Sequence, residues 1–275
     1  MINKLTEKGK VGKLMKRIIK LLLVGSLFLG LSLNVFIAKA EQKIEAKKNQ
    51  NLANSNAGDL YQKGESAYDS KKYLEAIEWY TSAAAQGHAC AQNSLGVMHH
   101  NGLGVQKDYK KAIKWFRLAA DLGHVDGQFN IGLMHELGEG VVQNYEDAVK
   151  WYRLAAEQNH VSAQYNLGLM YYDGRGVTQD YKKAIKWYQL AVKQGHSNAQ
   201  YNLGLMYEEG EGVPQNFAKA EQLYRLSAEQ GNDYAIEALN IIEMQKSFKI
   251  IALTVIVIIV ALVIVVLIFR KRKLN

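Results

Sequence analysis

Four tryptophans, Trp79, Trp115, Trp151 and Trp187, stand 36 residues apart, and so do His88, His124, His160 and His196. Shifting the 275-residue sequence by that interval superimposes Ala91–Asp126, Gly127–Ser162, Ala163–Asn198 and Ala199–Tyr234 on one another. A fixed period of about 20–50 residues marks a repeat array, in which each unit buries its apolar face only against its neighbours. Such a chain needs no second globular core, although its length alone suggests about two domains.

One unit resolves into two helices. Ala163, Leu167, Met170 and Tyr171 recur at the three- and four-residue spacing of one helical face, and Gly168 on that face removes a side chain so that a partner helix can approach. Gly174-Arg175-Gly176-Val177 then breaks the helix, as glycine at positive φ allows. Asp180 is the predicted N-cap of the second helix, matched by Asp108, Asn144 and Asn216. That helix presents Tyr181, Ala184, Trp187, Tyr188 and Ala191, and Gly195 stops it. A shorter unit at residues 57–90 precedes the repeats and lacks the glycine-rich insertion. After the repeats at 91–126, 127–162, 163–198 and 199–234, residues 235–249 restart a first helix with no second. This odd helix is expected to cap the stack and run on into residues 250–269.

The two ends read as membrane elements. Lys4, Lys8, Lys10, Lys13, Lys16, Arg17 and Lys20 precede an apolar run from Leu21 to Ile37 and then Ala38-Lys39-Ala40. That is the layout of a secretory signal peptide over residues 1–40, with an uncleaved signal anchor as the alternative. Residues 250–269 are uncharged and apolar, and as a helix they reach roughly 30 Å, the thickness of a bilayer's hydrocarbon layer. The basic tail at 270–275 places the C-terminus on the cytoplasmic side, so the repeats are expected outside the cytoplasm. Residues 41–56 are polar and read as a disordered tether.

Charge narrows the partners. The chain carries +8 overall, but residues 1–40 hold 8 bases and one acid and residues 250–275 hold 4 bases. Of 34 bases and 26 acids, 22 and 25 remain for residues 41–249, a net of −3. A nucleic-acid partner needs a basic stripe on the folded part, so none is expected. The single cysteine, Cys90, excludes an internal disulfide.

Sharper chemical readings yield to plainer ones. The G-x-G turns lie between helices, whereas a dinucleotide fingerprint needs a strand before it. Histidines one repeat apart do not converge on a metal, whose ligands must all sit about 2 Å from one point. His99 and His135 stand where other repeats carry Tyr171 and Tyr207 and are expected to pack like aromatics, while His100 is expected to be exposed. The tryptophans are assigned to the core. No nucleophile or carboxylate pair stands out, so neither enzymatic activity, a cofactor nor a metal is expected.

The pattern A-x-x-x-L-G-x-M-Y-x-x-G-x-G-V-x-x-D-Y-x-K-A-x-x-W-Y-x-x-A-A-x-x-G-H resembles the SEL-one-like repeat, a relative of the tetratricopeptide repeat, over residues 57–243. Leu223 in place of Trp and Asn159 in place of Gly are its main departures. The resemblance implies an all-α, right-handed superhelical solenoid of antiparallel helix pairs, with first helices lining a concave groove that binds a peptide or protein. On those helices a second stripe runs beside the core stripe: Phe129, Leu133 and Glu136; Tyr165, Leu169 and Tyr172; Tyr201, Leu205 and Glu208, with Asn93, Val97 and His100 as counterparts in the first full repeat. Asn130, Asn166 and Asn202 flank it. These residues are the candidate groove; ordinary packing between repeats is the competing assignment for its aromatics. A membrane-anchored adaptor or scaffold is the main expectation, in a bacterial inner membrane with repeats in the periplasm. An endoplasmic-reticulum quality-control adaptor with luminal repeats is the alternative. A protein that binds or hydrolyses cell-wall compounds of the β-lactam kind is the reading from another class, but the family members it rests on are cysteine-rich.

Overall fold

The computed structural model describes residues 38–39, 41–43 and 55–273, with side chains as far as residue 264. All but residues 38–39 of the segment read as a signal sequence, and residues 44–54 of the predicted tether, lie outside these residues. Among the described residues the chain is helical, with no strand. The first pair is α1 (Ala57–Asp69) and α2 (Tyr73–Ala85). Four pairs follow: α3 (Ala89–Asn101) with α4 (Tyr109–Asp121), α5 (Val125–Leu137) with α6 (Tyr145–Glu157), α7 (Val161–Asp173) with α8 (Tyr181–Lys193), and α9 (Ser197–Glu209) with α10 (Phe217–Ala228). Each helix packs chiefly on the one before and the one after it, so the array grows in one direction. Finally, α11 (Asp233–Lys273) packs on α10 and continues as one helix through the apolar segment.

The predicted caps of the second helices are in place. Asp108, Asn144, Asp180 and Asn216 accept hydrogen bonds from the backbone N–H three residues on, at 2.9–3.1 Å. The histidines turn out to be the caps of the first helices. The ring Nδ1 of His88, His124, His160 and His196 accepts from the N–H of Ala91, Gly127, Ala163 and Ala199 at 3.1–3.3 Å. Their own backbone N–H groups meanwhile close the preceding helices, on the carbonyls of Ala83, Ala119, Ala155 and Ala191. One residue thus ends one helix and starts the next. The first helices consequently begin two residues ahead of the boundaries at 91, 127, 163 and 199 that the pattern suggests. Asn159, the departure from glycine, adopts φ 67°, a left-handed conformation that asparagine tolerates better than most residues.

The aromatic at the centre of the core is the residue after each tryptophan, or after Leu223 in the last repeat. Tyr80, Phe116, Tyr152, Tyr188 and Tyr224 are at most 2% exposed, whereas Trp79, Trp115, Trp151 and Trp187 are only half-buried. The assignment of the tryptophans to the core is thus corrected: one step of about 100° around the helix puts the tyrosine at the middle of the buried stripe and the indole on its flank. Gly168 makes room for the Tyr188 ring, since a Cβ there would lie 2.6 Å from it.

Candidate partner-binding surface

All twelve candidate groove residues are half-buried. They form a row along α5, α7 and α9, with one flank engaged inside the array. The rings of Phe129 and Tyr165 stack on the capping His160 and His196 of the next repeat at 4.5 Å, and each also meets the core tyrosine of its own unit. Tyr201 lies 5.6 Å from Tyr224 and 5.8 Å from Tyr234. These aromatics therefore carry packing between repeats, whatever else they touch.

The polar members of the row are also occupied. The Tyr152 hydroxyl donates to Glu136 at 2.6 Å, and Tyr224 donates to Glu208. Asn202 lies 3.5 Å from the Tyr188 hydroxyl, and Asn166 stands near that of Tyr152. Where the core aromatic is Phe116 and offers no hydroxyl, the following Asn130 donates instead to Asn93 at 3.0 Å. Burial, reinforced by Glu136, raises the Tyr152 hydroxyl above the ordinary tyrosine range. A buried hydroxyl without a partner costs about 1–3 kcal/mol, so the Glu and Asn positions answer to the tyrosine they serve.

A further ladder joins consecutive repeats and has only a faint trace in the sequence. The third stripe position of one repeat reaches the middle of the next glycine-rich turn. His100 pairs with Glu139 at 2.8 Å, Glu136 accepts from Arg175 at 3.1 Å, and Tyr172 lies within electrostatic reach of Glu211. Burial and the Glu211 carboxylate push Tyr172 up to about 12. His100 is only 26% exposed and engaged on both ring nitrogens, so its expected exposure is corrected. Arg175 also lies over the Tyr145 ring, 5.6 Å from its centroid. The signal was the alternation of charge at positions 139, 175 and 211, which means nothing until their partners are known.

The leucines have no polar duties. Leu133, Leu169 and Leu205 stay half-exposed between the aromatics, and Leu169 and Leu205 rest on the main core cluster. His135 is buried with neither ring nitrogen bonded, and its packing is that of the aromatic residues at positions 171 and 207. Among the described residues no three His, Cys, Asp or Glu side chains stand close enough to hold a metal.

Fold and surface together define an all-helical repeat protein whose side chains are spent on holding one unit to the next. The chain belongs to the Sel1 repeat family, whose profile matches residues 51–88, 91–124, 125–160, 161–196 and 197–232. The unit at residues 57–90 is thus counted among the repeats despite its shorter turn. A protective antigen of uropathogenic Escherichia coli strains, displaying an SLR fold, is similar at 37% identity and a TM-score of 0.66, over 69% of this chain and 42% of its own. A Sel1 repeat protein from Oxalobacter formigenes is similar at 38% identity and 0.62, over 65% of this chain and 74% of its own. The chain therefore spans less than half the length of the first of these relatives. No curated protein sequence matches it. Sel1-repeat proteins generally mediate protein–protein interaction.

Proposed function

We propose that this protein is a membrane-anchored adaptor that presents its repeats on the non-cytoplasmic side and holds a peptide or protein segment along α3, α5, α7 and α9, without chemistry of its own. The observation that carries the reading is the row of half-exposed leucines and ring edges at Phe129, Leu133, Tyr165, Leu169, Tyr201 and Leu205, recurring once per repeat. Their polar neighbours are already bonded, so the row favours an apolar partner segment. Side chains from Ile250 to Ile264 along α11 are exposed and apolar, and this helix contains a stretch long and apolar enough to cross a membrane. The basic residues Arg270–Lys273 after it favour a cytoplasmic C-terminus.

Two measurements test this. A photo-crosslinking amino acid at position 169 should capture a partner in intact cells, and one at the exposed position 186 on α8 should not. Equal capture from both positions would remove the stripe from the argument. A reporter active only outside the cytoplasm, fused after residue 275, should be silent; its activity would overturn the topology.

A further inference from the structure

In each repeat the glycine-rich turn is a lid on the repeat before it. The second glycine of the turn settles onto the start of the preceding second helix. A Cβ on Gly176 would lie 2.3 Å from the Tyr145 carbonyl, and one on Gly140 or Gly212 equally crowds Tyr109 or Tyr181. The residue between the two glycines reaches the stripe residue of the preceding repeat. Gly174-Arg175-Gly176 is the fullest example: Arg175 donates to Glu136 and covers the Tyr145 ring, while Tyr152 occupies the other carboxylate oxygen of Glu136.

The last repeat has the same seat and no lid. Its counterparts of Glu136 and Tyr145 are Glu208 and Phe217, each 72 residues further on. Tyr73, Tyr109, Tyr145 and Tyr181 are half-buried under the next turn, but Phe217 is 62% exposed. Glu208 accepts from Tyr224 through Oε2, and among the described residues no hydrogen bond reaches its Oε1. After α10 the chain goes straight into α11, which stands away from this corner. A cleft of about 530 Å³ is left between them, lined by Glu208, Phe217, Ala218, Ile242 and Lys249 among others. Lys246, also at this cleft, is engaged by Glu221 at 2.7 and 2.8 Å and forms no ion pair with Glu208.

We propose that this cleft receives a glycine–arginine–glycine turn from another protein, with the arginine paired to Glu208 and stacked on Phe217 as Arg175 is on Glu136 and Tyr145. The chain's only turn of that composition is already seated inside its own array, so the incoming turn belongs to a different molecule, such as the uncovered first turn of a second repeat protein. The proposal rests on the chain being a protein-interaction module but not on the leucine stripe, and the two fail separately.

The full chain in neutral phosphatidylcholine nanodiscs is titrated with a fluorescent peptide copying residues 172–179 (YDGRGVTQ) and with its Arg175→Ala version. The arginine peptide should bind saturably, and its alanine version about tenfold more weakly, from loss of the ion pair and the cation–π contact. Glu208→Gln, which keeps an acceptor for the Tyr224 hydroxyl, and Phe217→Ala, at an exposed ring, should each weaken binding about two- to fivefold. Leu169→Glu on the stripe should leave it unchanged. Equal affinity for the two peptides, indifference to both cleft variants, or no saturation in the millimolar range overturns the proposal. So does displacement of the peptide by phosphatidylserine in the nanodisc that Lys249→Gln abolishes, which would assign the cleft to a lipid headgroup.

Discussion

Replacing Leu122 by glutamine should stabilise the repeats. In three repeats a glutamine at the end of the second helix donates to a buried glutamine of the first: Gln158 to Gln128 at 2.8 Å, Gln194 to Gln164 at 2.9 Å, and Gln230 to Gln200 at 2.8 Å. The equivalent of the buried partner in the first full repeat is Gln92, whose Oε1 is buried with no hydrogen bond, although its amide still donates to Ala84. The residue that should serve it is Leu122, which is 57% exposed. Its backbone, at φ −87° and ψ 7°, matches that of Gln194, at −96° and 8°, so the substitution needs no rearrangement. An unpaired buried acceptor costs about 1–3 kcal/mol, and a side chain still half in water recovers part of that. Leucine at that exposure contributes little burial in exchange. We expect a gain of about 1 kcal/mol, equivalent to roughly 2–4 °C for a folded unit of about 150–250 residues. Urea unfolding followed by tryptophan fluorescence reads the repeats alone, because all four indoles lie in them. The decisive control is the same substitution in a Gln92→Leu background, where the gain should vanish. A gain that survives there, or no gain in the parent protein, refutes the reasoning.

Acid should loosen the array through its histidine caps. Burial lowers His88, His124, His160 and His196 below their ordinary value of about 6.5. In the window below that value the unfolded chain binds more protons, so the stability these caps contribute is complete above about pH 6.5 and is lost as the pH falls. Asn232 performs the same cap for Ala235 at 3.1 Å without titrating, so asparagine at positions 124, 160 and 196 should flatten the acid side of a stability–pH curve. An unchanged slope would exclude the caps as its source. Gly176→Ala should cost about 2–4 kcal/mol, from a positive φ of 68° and a collision with the Tyr145 backbone. Gly195→Ala, with φ 84° and open space around it, should cost about 1 kcal/mol. Equal costs would show that the turn is not wedged between repeats. Lys71, at φ 58° in the shorter first turn, should gain about 1 kcal/mol on replacement by glycine, measured by the same unfolding assay.

The helices were legible because their signals are local. Apolar residues three and four apart, an Asp or Asn before the second helix of each full repeat and a glycine at most exits were sufficient to place the helix pairs. The histidine caps were hidden because imidazole is not among the usual capping side chains, and their period invited thoughts of ligands instead. Trp187 and Tyr188 both satisfy the pattern of a buried face, and only the gap above Gly168 decides which fills the core. The polar pairs that join one repeat to the next were barely legible. Gln158 and Gln128, or Arg175 and Glu136, are 30 and 39 residues apart and look like unrelated surface polar residues. Their pairing depends on how far one helix pair is rotated against the next, and no local pattern encodes that.

That rotation also governs what the stripe can recognise. The core aromatic sets the requirements of the polar residues around it. With Tyr152 come Glu136 and Asn166; with Tyr188 comes Asn202; with Phe116 there is no hydroxyl to satisfy, and Asn130 turns to Asn93. Differences among repeats at these places are therefore accounts of local bonding before they are a code for a partner. Each turn is also matched to one stripe residue of the preceding repeat, Glu139 to His100 and Arg175 to Glu136, so exchanging the second and third full repeats would set like charges against each other: Glu211 would meet Glu136. The order of the repeats is thereby fixed from within, and the polar groups that fix it are no longer available to a ligand. Recognition along the stripe then falls to Leu133, Leu169, Leu205 and the exposed ring edges. The one carboxylate of the row with an oxygen still unbonded, Glu208, lies at the end of the stack, where the internal pairing scheme runs out.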